Sequence, residues 1–172
     1  MLFSKKEGRS FLRKAISYCH KAGAYVSFDA NLRLDIFRDE EETKEIYGKL
    51  FPMVGVLKLS EDELSFFYGK EDAEAFHKDR LKRKSLLFVS YGSKGSAVVT
   101  RDGSLKVSSH SVKPVDTTGA GDAFYAPVLL ELDSIGDLMP LSAVDYESIL
   151  IKANADGAKA VYHFGALPIL GE

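Results

Sequence analysis

The stretch Asp116-Thr117-Thr118-Gly119-Ala120-Gly121-Asp122-Ala123-Phe124 decides how this chain is read. Three residues with little or no side chain precede Asp122, and Ala123, Phe124, Val128, Leu129 and Leu130 behind it make an apolar run that can be helical. Backbone N–H groups at a helix start have no partner within the helix and carry partial positive charge. They close on anion oxygens where glycine lets the backbone approach. A carboxylate beside such a site would repel a phosphate. Asp122 makes sense there if it takes a proton from a hydroxyl attacking the phosphate while the N–H groups hold the charge developing on the transferred group. The same letters also fit a plain turn, with glycine supplying positive φ and Asp122 acting as a cap or first-turn acid. Spacing excludes two other phosphate loops. The dinucleotide fingerprint needs a third glycine where Phe124 stands, and a Walker A loop needs Gly-Lys-Ser/Thr.

With 172 residues, 45% of them hydrophobic, the chain can bury one sizeable core and is short for two domains. A net charge of -2 with interspersed signs offers no basic stripe for a nucleic-acid backbone. No apolar run is long enough to span a bilayer, and Ser4, Lys5, Lys6 and Glu7 stand where a signal peptide would be continuously apolar, so a cytoplasmic protein is expected. Cys19 has no cysteine partner, and His20, His77, His110 and His163 are scattered, which gives no zinc pattern.

Read in order, Arg9 to Ala22 places Leu12, Ala15, Ile16 and Cys19 on one helical face, with Gly23 to end it. Ala24 to Phe28 is a short apolar run of the buried-strand kind, followed at once by Asp29, Asn31 and Arg33. A helix over Glu40 to Leu50 leads to a second strand over Val54 to Leu59, after which Ser60 to Glu63 open a third helix. Ser60-x-x-Glu63 is a capping-box pattern in which the two residues satisfy each other's backbone N–H groups. A helix over Ala73 to Leu81 and a strand over Leu86 to Ser90 precede the turn Gly92-Ser93-Lys94-Gly95. Ser96 to Thr100 and Leu105 to Ser109 then alternate about Asp102-Gly103, predicting a hairpin at the sheet margin. A final helix is expected over Tyr146 to Tyr162.

Alternating strands and helices predict an α/β fold with a mostly parallel sheet covered on both faces. Ligands of such sheets bind beyond the carboxyl ends of the strands. Asp29 to Arg33, Ser60 to Glu63 and Gly92 to Gly95 all follow such ends, so one edge gathers them. This topology favours the site reading of Gly119 to Asp122 over the turn reading.

The string Asp116 to Phe124 resembles the second signature of the ribokinase-like (PfkB) carbohydrate kinases, and the surrounding sequence is most similar to the fructokinase branch. The resemblance implies a three-layer α/β/α sandwich and transfer of the γ-phosphate of ATP to a sugar hydroxyl. Gly119, Ala120 and Gly121 would form the anion hole, and Asp122 would be the catalytic base. Asp29-x-Asn31-x-Arg33 resembles a further fructokinase pattern, with Ile36 and Phe37 replacing its last two apolar letters. It implies phosphate or sugar contacts for Asn31 and Arg33; taken alone it also fits a solvated, capped turn. Lys58-Leu59-Ser60 matches the branch, and the resemblance implies that Glu63 holds Mg²⁺ through water, a role in competition with the capping box.

Ser90, Gly92 and Gly95 resemble the nucleotide-facing turn of the family, although two glycines between strands are ordinary turn chemistry. Asn154, Gly165, Ala166 and Pro168 match the final helix and loop beside the adenine, and Asn154 also fits an exposed polar position. A monovalent cation, K⁺ in many relatives, would be held largely by backbone carbonyls around Asp116 to Thr118. The match corresponds only to the C-terminal half, or somewhat more, of a typical member. The expectation is therefore an incomplete family fold over residues 1–172, either a fragment or truncated reading frame or a chain whose exposed sheet region is covered by something else, self-association included; the alternative to a kinase is a non-catalytic nucleotide-binding remnant or interaction subunit. Pro127 stands where relatives carry a small residue. Inside a helix it would remove the bond to Ala123 at a cost of about 3 kcal/mol and disturb the aim of Asp122.

Overall fold

The computed structural model describes residues 5–34, 39–110, 112–137, 144–162 and 164–165. Five strands form one sheet in chain order: β1 (Ser27–Asp29), β2 (Val56–Ser60), β3 (Leu86–Ser90), β4 (Ser96–Thr100) and β5 (Gly103–Val107). The sheet is mixed. β1, β2 and β3 run parallel, with Ser27 opposite Val56 and Val56 opposite Leu86, while β3, β4 and β5 pair antiparallel. The hairpin therefore sits at one margin and β1 at the other.

Parallel strands added in chain order through crossovers of one hand must place their connecting helices on one face. The core shows this arrangement. Tyr47 of α2 (Glu40–Leu50), Leu64 and Phe67 of α3 (Glu61–Tyr68) and Phe76 of α4 (Ala73–Arg80) pack over Leu57, Leu59, Leu87 and Val89. The opposite face, left bare by those crossovers, is covered by α5 (Ala120–Ile135) and α6 (Tyr146–Ala160). Phe124, Val128, Leu132, Ile149 and Leu150 lie there over Val56, Leu86, Phe88 and Val98. Alternate strand residues thus feed two separate cores, as the two-residue period requires. Burying each such side chain contributes about 1.5–3 kcal/mol. The remaining helix, α1 (Lys6–Lys21), buries only Ile16 and leaves Phe11 and Tyr18 exposed. Arg9 joins it to Glu42 of α2 at 3.6 Å.

Three strands differ from expectation: the interior β2 starts at Val56 rather than Val54 and runs on to Ser60, and the other two lie at the margins. β1 begins at Ser27 rather than Ala24, since it is paired on one side only and Ala24 and Tyr25 are exposed. β5 begins at Gly103 because the turn pairs Thr100 with Gly103, and Asp102 N–H donates to Thr100 Oγ1 at 3.1 Å. Pro127 does not end α5, which runs on to Ile135 with the proline ring buried in the core. No described helix is long and apolar enough to cross a membrane.

The turn after β3 is closed by backbone bonds: Tyr91 N–H donates to Gly95 O at 2.8 Å and Gly95 N–H to Gly92 O at 3.2 Å. Gly95 has φ +109°, and a Cβ there would lie 2.0 Å from Val107 O of β5. Gly95→Ala is expected to lower unfolding free energy by about 2 kcal/mol or more. A denaturant midpoint equal to that of the unsubstituted chain would show that the turn can move away from β5.

Candidate active site at the start of α5

Gly119 is the N-cap of α5 in the left-handed conformation, φ +80°, and no side chain caps the helix. Ala120 N–H donates to Thr117 O at 3.2 Å, and the first intrahelical bond runs from Ala123 N–H to Gly119 O at 2.9 Å. Helix geometry leaves the intervening amides of Gly121 and Asp122 without an internal partner. The Asp122 side chain is exposed in this first turn and does not fold back into the core.

The loop ahead of the turn is clamped by Asp116. Its Oδ1 accepts from Thr118 N–H at 2.9 Å and from the Thr118 hydroxyl at 2.8 Å; its Oδ2 accepts from Gly165 N–H at 2.9 Å. Val115 N–H donates to Val161 O at 2.8 Å beside it. The Gly165 N–H first, then Thr118, pulls the Asp116 carboxyl below its ordinary range. Asp116, Thr118 and Gly165 are thus joined, and the signature is tied to the segment after α6. Ala166, Pro168, Ile36 and Phe37 lie outside the described residues.

A cavity of about 390 Å³ opens between this turn, the turn after β3 and α6. It brings together Ser90, Gly92, Gly95, Ala120, Gly121 and Asn154, six residues singled out in the sequence from distant stretches. Asn154 donates to Val107 O at 3.4 Å, which ties α6 to β5. The walls include Val112, Pro114, Phe124 and Val161, so the cavity is apolar with a few polar groups, the usual character of a small-molecule site. Gly157 also lines it and was missed in the sequence. A Cβ there would lie 3.3 Å from Phe124 Cβ and 3.4 Å from Ala120 O, so its absence lets α6 close against the start of α5. A glycine inside a helix, disfavoured by its backbone entropy, was the available signal.

The remaining candidates lie on loops beyond the cavity. Asn31 has φ +38°, the one positive φ at a non-glycine among the described residues, with its N–H donating to Asp29 Oδ1 at 3.3 Å. Arg33 is exposed and makes no ion pair among the described residues. Glu63, 8% exposed, accepts Ser60 N–H on Oε2 at 2.7 Å and Leu32 N–H on Oε1 at 2.6 Å, while Ser60 Oγ accepts Glu63 N–H at 3.2 Å. The capping box therefore forms, and the same carboxylate secures the loop that carries Asn31 and Arg33. Lys94 reaches Glu61 at 2.8 Å and ties the turn after β3 to α3. Among the described residues no three His, Cys, Asp or Glu side chains cluster as a metal cage.

Lys58 is the second residue that sequence reasoning left unassigned. It is 6% exposed in the middle of β2, and its ammonium lies 3.1 Å from both carboxylate oxygens of Asp29. Burial pushes the Asp29 carboxyl up, against the pull of Lys58. A Cβ on Gly121 would meet the Lys58 ammonium at 2.9 Å. Gly121 therefore borders both the cavity and this buried ion pair.

The family model described as pfkB family carbohydrate kinase matches residues 3–170. The chain belongs to this family. As a pfkB-family chain it is 36% identical over 168 residues to probable fructokinase-7 of Arabidopsis thaliana, covering 94% of this chain and 48% of that protein. It is 33% identical over 168 residues to a fructokinase of Vibrio alginolyticus, covering 97% and 54%. Among solved structures, the fructokinase of Vibrio cholerae O395 in its fructose, ADP and calcium ion bound form superposes with a TM-score of 0.84. It is 33% identical, and the match covers 96% of this chain and 53% of that one. The aminoimidazole riboside kinase of Salmonella enterica, complexed with aminoimidazole riboside and an ATP analogue, gives 0.77 at 30% identity, covering 92% and 52%. The chain thus spans about half the length of these relatives, and its sheet is the corresponding part of the ribokinase-like fold.

Asp116→Ala is expected to lower the hydrogen-exchange protection of the Thr118 and Gly165 amides by about tenfold, the worth of one charge-assisted bond. Because the Asp116 carboxyl is depressed from its ordinary 3.8, its hold is complete above that pH and fades as pH falls toward the lower folded value. Protection unchanged in the variant at pH 7 would show that the clamp does not order these loops.

Proposed function

We propose that the chain forms the nucleotide-binding and phosphoryl-transfer part of an ATP-dependent sugar kinase of fructokinase type. One observation carries the reading: an exposed carboxylate, Asp122, stands in the first turn of an uncapped helix whose start lines an apolar cavity. The base within the cavity would meet Ser90, Gly92 and Gly95 on one side and Asn154 on the other. The terminal phosphoryl group would reach the amides of Gly119 to Asp122. There the sugar hydroxyl attacks the γ-phosphorus as its bond to the departing ADP breaks, Asp122 takes the hydroxyl proton, and the amides hold the negative charge that grows on the transferred group. Positioning and electrostatics of this kind account for most of the catalysis in phosphoryl transfer.

Arg33 is free to approach the transferring phosphate, with Asn31 beside it on the same loop. Mg²⁺ would neutralise phosphate charge. The absence of a three-ligand cage among the described residues fits an ion held mainly by phosphate oxygens and water, with Glu63 as an indirect partner. Each Glu63 oxygen accepts one N–H and retains a lone pair for a bound water. The side chains of Asp116 and Thr118 bond each other, so a monovalent cation at this loop would rely on backbone carbonyls. A double mutant of the fructokinase of Vibrio cholerae O395 is solved in its fructose, ADP and potassium ion bound form, which supports a ketose acceptor and a K⁺ site here. Since the chain spans about half of its relatives, a second segment or a second copy would complete the acceptor side along the β1 edge.

The alternative to be tested against the kinase reading is nucleotide binding without transfer. Calorimetric titration with ATP and Mg²⁺, paired with a coupled assay of ADP release over a sugar panel, separates them. ADP release dependent on a ketose is expected. Asp122→Asn should lower turnover by about 10²–10⁴-fold while ATP affinity stays within about twofold. ATP binding with no sugar-dependent release favours the second reading, and no ATP binding overturns both.

A further inference from the structure

Lys58 is an unusual occupant of its position. β2 contributes Val56 to the α5 side of the sheet, and the two-residue period puts Lys58 on that same side, one step nearer the start of α5. An apolar residue would continue the core row there at no electrostatic cost. Instead a charged ammonium is buried, at an expense that pairing offsets only when the geometry is good. The pairing is good: Asp29 lies directly opposite in the β1–β2 register and accepts from Lys58 on both oxygens at 3.1 Å.

The ammonium does not stop at Asp29. It fills the space that a side chain on Gly121 would need, since a Cβ there would be 2.9 Å from Nζ. Two positive ends therefore meet: the Lys58 cation and the uncapped start of α5. Asp29 balances the lysine charge, while the uncapped amides at the helix start keep their partial positive charge for an incoming anion. An ammonium has three donors, Asp29 takes two, and no other bond to Lys58 is made among the described residues.

We propose that Lys58 is a positioning residue of the anion hole: held by Asp29, its ammonium backs the Gly121 amide and strengthens the hold of that turn on the terminal phosphoryl group of a nucleoside triphosphate. The inference rests on the sugar-kinase reading of the site. It also supplies the reason position 121 is glycine, because the cation stands where the side chain would be. A lysine acting through the turn's electrostatics should distinguish ATP, which carries the terminal group, from ADP, which lacks it. A lysine that only holds β1 to β2 should affect both nucleotides alike.

The test removes the pair together, Lys58→Met with Asp29→Asn, so that no unpaired charge stays buried. Calorimetric titrations with Mg²⁺–ATP and Mg²⁺–ADP, and a thermal melt without nucleotide, are compared with the unsubstituted chain. The expected result is a melting temperature at or above the original, ATP affinity about tenfold weaker and ADP affinity within about twofold. Lys58→Gln, which removes the charge but keeps an N–H donor for Asp29, should lose ATP preference in the same sense and serves if the double variant does not fold. An unchanged ratio of ATP to ADP affinity in a folded variant overturns the role of Lys58 while leaving the kinase reading intact. An unsubstituted chain that binds neither nucleotide overturns both.

Discussion

The start of α5 is a helix terminus that the protein leaves uncapped while packing it closely on three sides. Gly119 takes the left-handed conformation that turns the chain into the helix, Gly121 leaves room for the Lys58 ammonium, and Gly157 lets α6 approach Ala120 and Phe124. Each is a place where a side chain would strain the backbone or push a neighbour away. The cavity, the exposure of Asp122 and the clamp at Asp116 all depend on the turn being held this tightly. A looser turn would point its amides in no fixed direction, and preorganised amides are what give such a site its electrostatic strength.

The edge that gathers the site is braced by polar contacts of unequal worth. Lys94 with Glu61 is a largely exposed pair, and solvent screening leaves such pairs little net worth. Glu63 is buried and accepts two backbone N–H groups, each a charge-assisted bond of about 1.5–3 kcal/mol. The loop bearing Asn31 and Arg33 is thus fixed by Glu63 far more than by surface charge. Asn31, with φ +38°, sits in backbone strained for any residue with a side chain, which is tolerated where the surroundings hold it. The capping expected from the sequence forms on one oxygen of Glu63, while the other oxygen holds the Leu32 N–H.

Much of this was legible beforehand. The helix over Glu40–Leu50 and the strand over Leu86–Ser90 end where their patterns end, and the Ser60–Glu63 capping box forms as its spacing dictates. Six of the residues picked from separate motifs do line one cavity. The margins were harder to read, because β1 and β5 each have a neighbour on one side only and their lengths follow from pairing register. Lys58 and Gly157 were passed over for a related reason. A lysine inside an apolar strand and a glycine inside a helix look like local defects until the element that each one accommodates is brought alongside.

The amino-acid sequence alone determined the alternation of elements, the carboxyl-end gathering of the polar loops and the family signature, since these follow from short-range periodicity, turn chemistry and local spacing. Tertiary structure alone decided that Asp29, Lys58 and Gly121 meet, that Asp116 bonds the segment after α6, and that Asp122 faces solvent. Those contacts join residues far apart in the chain. Their distances depend on how the sheet and its two helical layers pack, which no local pattern encodes.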